Sequence, residues 1–326
     1  MQLWPKICFC DSDEEQVRSY KSSGNTVGCF RSYENHYMGA VSTKVVTIAI
    51  YLFHMSLFIA VSGAIFKMGC DRGKYSEFVP FMMTKAKRLL IPFVFTATLV
   101  LAPTLIACGM TGLGYVGTVA NIFSGGVFVK HLWYLQALFW IFIAAWIIVK
   151  TKVNLYVAFF AAVALAAGCS LFDANRYLSF GMAISKLPMF ILGMILLKMG
   201  QRGCQIVAWI AGCLLLGLAQ IFVTEPFIDN IIRFFFSGSI VGLCVTLADY
   251  LYAHVKDSRI LAFLAKQSFG IYLFHMTPIY FIRHWGCDSW PLWLAVVATF
   301  VFSLVGSIML THFFRVCHLQ VLIGEK

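Results

Sequence analysis

The sequence predicts an all-α fold, a polytopic bundle of transmembrane helices, on three observations. Sixty per cent of the 326 residues are hydrophobic and only 12% are charged, about half the charged share that a water-facing surface requires. The apolar residues gather into nine runs long enough to cross a bilayer. The Lys and Arg residues sit in short clusters between those runs, and mostly on one side.

A spanning helix needs about 20 mostly apolar residues, because the hydrocarbon layer is about 30 Å thick and every backbone N–H must find its partner inside the segment. The nine runs lie near 44–66, 89–109, 132–149, 153–172, 180–198, 204–223, 231–252, 262–282 and 291–314. Threading them alternately places Lys67, Arg72, Lys74, Lys85, Lys87, Arg88, Lys150, Lys152, Lys198, Arg202, Lys256, Arg259, Lys266, Arg315 and Lys326 on one side. The other side holds only Lys130, Arg176, Lys186, Arg233 and Arg283. Basic residues are retained on the cytoplasmic side, so the first side and the C-terminus are expected there. The net charge of +11 is accordingly a record of topology, with no continuous basic stripe that would suit nucleic acid. The cysteines are scattered without a CxxC pair, which predicts apolar filler and no metal site.

Residues 1–35 carry Lys6, Asp11, Asp13, Glu14, Glu15, Arg18 and Lys21, and can neither span a bilayer nor supply the apolar core of a signal peptide. They read as a polar tail ahead of one membrane domain at 36–326. With nine spans and a cytoplasmic C-terminus, the first span starts on the far side. A further span before His36 would return the N-terminus to the cytoplasm, so a start-site error or a truncation is expected there.

Several polar groups interrupt the apolar pattern. Lys85, Lys87 and Arg88 precede the second span, where they serve as a positive-inside anchor or, more sharply, as an anion site for phosphates. His54 and His275 fall within spans, where an ionisable group is costly and usually faces the interior or a water-filled path. A helix-to-helix hydrogen bond is the plainer reading of both. His131 and Trp133 stand at a helix start, where an interfacial aromatic belt already favours Trp. Ser62 and Gly63 are a small pair suited to close helix packing.

Four segments, in order, resemble the acyltransferase 3 family of integral-membrane O-acyltransferases. Tyr51-Leu-Phe-His-Met-Ser-Leu-Phe-Ile-Ala-Val-Ser-Gly63 is similar to the family's FHMPLFFFISG segment, with Ser56 in place of Pro. Lys85-Ala-Lys-Arg-Leu-Leu-Ile-Pro92 is similar to its basic cluster followed by LLxP. His131-Leu-Trp-Tyr-Leu-Gln136 resembles HLWFL, and Ser268-Phe-Gly-Ile-Tyr-Leu-Phe-His275 resembles SxxIYLLH.

The resemblance implies a ten-helix protein that moves an acyl group, commonly acetyl, from acyl-CoA to a hydroxyl of a cell-surface saccharide or polysaccharide. It implies residence in a bacterial plasma membrane. The family's catalytic His lies before the FHMPLF segment, which points to His36, eighteen residues before His54. The Arg expected upstream of that His has no counterpart, since its position falls near Asn25 and the nearest Arg is Arg31. The chain is therefore expected either to lack a first helix or to be inactive as it stands. Imidazole suits the role of base because its ordinary pKa of about 6.5 lies near working pH. Lys85 and Arg88 would hold the acyl-CoA. His54, His131, Trp133, Tyr272 and His275 would line the pathway or the acceptor site. The alternative is a transporter or flippase in which His54, Asp249, Lys266 and His275 face a substrate path. A noncatalytic chain that only holds partners is a third reading.

Overall fold

The structure, a computed structural model, describes residues 41–171, 177–197, 203–223, 225–255, 259–284 and 290–325. Every regular element among them is helical. Helix α1 runs from Val41 to Asp71, and α2 from Phe78 to Phe95 continues through a wider π turn, Thr96–Leu101, into α3, Ala102–Ala107. Short helix α4, Tyr115–Ser124, and a 3₁₀ turn, Val127–Leu132, lead into α5, Trp133–Lys150. Then come α6, Leu155–Leu171, α7, Phe180–Leu196, α8, Gly203–Phe222, and α9, Pro226–Val255. The last helices are α10, Arg259–Phe274, α11, Met276–His284, and α12, Leu292–Val316, followed by a 3₁₀ turn at Gln320–Ile323.

Among the described residues, three segments, Phe78–Ala107, Trp133–Lys150 and Trp293–Val316, are long and apolar enough to cross a membrane, and four shorter apolar helices accompany them. Their outward faces are greasy. On α8, Val207, Leu214, Leu215, Leu218 and Phe222 are exposed, as are Trp293, Phe300, Phe302 and Met309 on α12. Such an area in water would mark an interface or an aggregation hazard, and in a bilayer it is the normal lipid-facing surface.

Inside, α7 is the hub, packed against α1, α5 and α6. Its crossing with α1 brings the two backbones into direct contact. A Cβ added at Gly63 would lie 2.0 Å from the carbonyl oxygen of Phe190, and one at Gly193 would lie 1.8 Å from that of Ala60. Small residues permit this approach, and dispersion between backbones replaces the hydrophobic drive that lipid removes. Phe66 fills the adjacent core, with ring centroids 5.6 Å from Tyr75 and Phe81 and 5.8 Å from Phe142 and Phe190.

The second span begins at Phe78, well before residue 89, so Lys85, Lys87 and Arg88 lie within a helix and not in the loop ahead of it. Lys85 can be there because its stem is half-buried and its ammonium sits 3.9 Å over the Phe142 ring, within 5.6 Å of Tyr75 and Phe81. Lys87 and Arg88 stay exposed. Pro92 stands inside the same helix, where its ring carries no N–H for the carbonyl of Arg88. The span expected at 262–282 is likewise not continuous, being divided at His275 into α10 and α11.

Candidate functional site

Pro278 stands in the first turn of α11 and has no N–H to offer the carbonyl of Phe274. The helix breaks at His275, whose own backbone N–H still reaches the carbonyl of Ile271 at 3.0 Å, while the carbonyl of Phe274 loses its usual donor. Two imidazoles also bond carbonyls of this last turn. The Nδ1–H of His275 is shared between the carbonyls of Tyr272, 2.8 Å, and Ile271, 3.1 Å. From α5's approach, Nε2–H of His131 donates to the carbonyl of Leu273 at 3.2 Å. A carbonyl only accepts, so these bonds assign the protons: Nε2 carries it on His131 and Nδ1 on His275. Ser303 of α12 closes the break by donating to the carbonyl of His275 at 2.8 Å.

The two rings meet edge to face with centroids 5.0 Å apart. Tyr272 packs against both His131, 5.7 Å, and Tyr134, 5.3 Å, and its hydroxyl donates to the carbonyl of His131 at 2.6 Å. Tyr134 in turn shares a 3.3 Å hydrogen bond with Ser62 of α1. Nδ1 of His131 is buried without a hydrogen-bond partner among the described residues. Burial, followed by the neighbouring His275, pushes the His131 pKa down from the usual histidine value to about 3. A bare nitrogen lone pair is therefore held neutral beside a second imidazole, where it can accept a hydrogen bond from a hydroxyl brought to it while being too weak a base to take the proton.

Below this cluster, Gln136 fixes the turn that carries His131. It donates to the carbonyl of Phe123 at 3.0 Å and accepts from Ser179 at 2.7 Å. A cavity of about 90 Å³ opens on the other side of Tyr272, lined by Met55, Phe58, Tyr134, Ser268, Phe269 and Tyr272.

Of the residues singled out in the sequence, His131, Tyr272 and His275 come together, and Trp133 is buried one turn on, against Tyr134. Lys85 is turned into its aromatic box, and Arg88 lies exposed one turn later on α2. All of His36 and the side chain of His54 lie outside the described residues. Tyr134 and Phe269 are the additions, and Ser62, expected as a packing residue, joins the cluster through Tyr134. Tyr134 stands inside the His131–Gln136 segment and Phe269 inside the Ser268–His275 segment. Among the described residues, no group of three or more His, Cys, Asp and Glu side chains could hold a metal ion.

Residues 29–312 match the acyltransferase domain family, acyltransferase 3. The chain belongs to that family. Comparisons with curated proteins and with solved structures each returned no match. Membership makes the protein a membrane acyltransferase with an acyl donor, and the matched stretch contains the broken helix, the imidazole pair and the basic end of α2.

Proposed function

We propose that the protein transfers a short acyl group, acetyl in the simplest case, from acyl-CoA to a hydroxyl of a cell-surface saccharide. The observation that carries this reading is the pair of imidazoles, His131 and His275, set among phenols at a helix break in a chain of an acyltransferase family. In this reading His36 is the base that takes the acceptor's proton. The alkoxide oxygen adds to the thioester carbonyl, the tetrahedral intermediate collapses, and the C–S bond breaks. The imidazolium returns the proton to the CoA thiolate. His131, His54 and His275 line the path of the hydroxyl, and Tyr272 and Trp133 wall it. Arg88, with Lys85 behind it, meets the CoA phosphates at the cytoplasmic face of a bacterial plasma membrane.

A transporter remains the second reading, because a discontinuous helix at an ionisable residue is a usual substrate site in transporters. The break at His275 favours it. Lys266, which that path would need, is instead exposed nine residues away from His275.

The test uses the full chain in proteoliposomes with acetyl-CoA and a surface polysaccharide as acceptor. Ester formation with equal release of CoA thiol is expected, and His36→Ala should abolish both. Unchanged turnover in that variant removes His36 as the base. Solute uptake without ester formation would replace acyl transfer by transport.

A further inference from the structure

Three cations from distant parts of the sequence converge on the turn that follows Gln320–Ile323. Arg315 stands in the last turn of α12, and Lys266 lies on α10. Arg88 of α2 lies beside Gly324, where an added Cβ would stand 2.8 Å from the Arg88 carbonyl oxygen. The Glu325 carboxylate feels the positive charge of all three, with Arg315 first. One carboxylate thus faces three cations, and the cluster keeps a positive excess among the described residues.

The Arg315 guanidinium is held in place by groups other than Glu325. Its Nη1 donates to the buried Gln267 at 2.8 Å and its Nη2 to the Lys266 carbonyl at 3.1 Å, so the plane of the group is fixed from α10. The remaining edge is the fork of Nε and Nη2, which meets the two oxygens of Glu325 at 2.8 and 2.5 Å. Carboxylate and phosphate both fit such a fork, and phosphate brings more charge to it. Little has to move for one to replace the other. The backbone N–H of Glu325 is bonded to the carbonyl of Gln320 at 3.0 Å, so the carboxylate can leave by turning its own side chain, which is 28% exposed.

We propose that the Arg315 fork, with Lys266 and Arg88 beside it, binds a phosphate group, and that Glu325 is its built-in, displaceable occupant. A phosphate monoester carries a charge of about −1.5 to −2 at pH 7 and so matches the excess that one carboxylate leaves. Acyl-CoA presents such phosphates, and this identity of the ligand rests on the reading above. An anionic lipid headgroup presents the same chemistry. Gln267 stands eight residues along α10 from the break at His275, about 12 Å of helix rise, which the arm of an acyl-CoA can span. Glu325 competes for the two donors that the phosphate needs. It therefore stabilises the unliganded chain and weakens the complex.

The experiment titrates CoA into the full chain in phosphatidylcholine nanodiscs and records the thermal midpoint of each variant beside it. A second set of discs also carries phosphatidylglycerol, whose retention on the protein is read by native mass spectrometry. Glu325→Gln is expected to lower the thermal midpoint and yet tighten CoA binding by about threefold to tenfold, because the competing carboxylate is gone. Lys266→Gln should weaken CoA binding about threefold at an unchanged midpoint, since Lys266 meets Arg315 through its carbonyl and not its side chain. The same opposed changes seen with phosphatidylglycerol and not with CoA assign the phosphate site to a lipid headgroup. A Glu325→Gln chain that loses stability and binds both probes no more tightly than the wild type makes the contact purely structural and removes the proposal, while CoA binding by the wild type keeps the acyl-CoA reading. Absence of CoA binding in every chain removes the acyl-CoA reading, and the phosphatidylglycerol discs then decide the site.

Discussion

His131 reaches its place through one side-chain bond, from Nε2–H to Leu273, and this bond leaves Nδ1 bare in a buried site. Because burial holds its pKa near 3, the ring stays neutral around pH 7. Its charged form would have to be buried, so the stability it confers is complete above the ordinary value of about 6.5. That stability is lost as pH falls from there toward 3. His131→Gln is expected to lower the acyl-transfer rate about tenfold, the scale of one lost hydrogen bond that positions the hydroxyl. An acidic limb of the rate profile near pH 6.5 should survive this substitution, since a group titrating near 3 does not produce it. Loss of the limb in His131→Gln would show that His131 itself titrates there. The basic residues of α2 separate by the same kind of reasoning. Lys85 is committed to the rings of Phe142, Tyr75 and Phe81, while Arg88 is exposed. Arg88→Gln should weaken CoA binding by about tenfold, in the range of one charge-assisted phosphate contact. Lys85→Leu should lower thermal stability more than it lowers CoA affinity. The reverse ranking in a CoA titration would make Lys85 the phosphate ligand.

At the scale of elements, apolar length made most of the bundle legible, because lipid forbids any backbone but helix and barrel across its core. The runs at 132–149, 180–198 and 204–223 correspond closely to α5, α7 and α8. Where charge or proline interrupts the pattern, the reading failed for identifiable reasons. Lys85 and Arg88 looked like a span boundary, yet a cation–π box and snorkelling keep both inside α2. Pro278 lies inside the run expected at 262–282, yet the helix breaks just ahead of it, and the side chains that bond carbonyls there, His131 and Ser303, come from distant segments that local periodicity does not report. Helix α4 was unreadable because it is short and lies in what composition marks as a loop. The candidate site was half legible on the same terms: His131, Tyr272 and His275 stood in quoted segments, while their junction at a helix break did not. The contact between α1 and α7 offers the sharpest test of packing. Gly193→Leu puts its Cβ on the carbonyl of Ala60 and must separate the helices, at a cost of about 3 kcal/mol or more. Gly168→Ala on α6, where nothing lies within 4 Å of the added Cβ, should be neutral or slightly stabilising. Comparable losses of thermal midpoint in the two variants would mean that α1 and α7 are not locked by that crossing.

On the scale of the whole molecule, the basic end of the bundle is tied by the chain's last residues. Arg315 at the end of α12 donates through Nε and Nη2 to the two carboxylate oxygens of Glu325, at 2.8 and 2.5 Å. It also donates through Nη1 to Gln267 at 2.8 Å and through Nη2 to the carbonyl of Lys266 at 3.1 Å. One guanidinium thus joins α12, α10 and the terminal turn. Ile323, 1% exposed, and Gly324, beside the Arg88 carbonyl, bring the same turn onto α2. Removing the clasp would loosen the end of α12, the middle of α10 and the terminal turn together, and Gly324 of that turn lies against Phe269 of the cavity lining, so its strength bears on the site as well as on the fold. The Arg315 hydrogen bonds hold the Glu325 carboxyl below the usual range, against a smaller opposing effect of burial. A depressed carboxylate contributes stability that is present above its ordinary value of about 4.3 and lost as pH falls through its folded value. The Glu325 side chain is partly exposed, at 28%, so solvent screens the pair and the contribution is about 1 kcal/mol and not the full Coulombic figure. Glu325→Gln should accordingly lower the thermal midpoint in nanodiscs at pH 7. The gap between variant and wild type should narrow as the pH is taken below about 4, because protonation then does to the wild type what the substitution did. A gap of constant size from pH 7 down to that range would show that Glu325 acts by shape and not by charge, and would leave the terminal turn held by Ile323 and Gly324 alone.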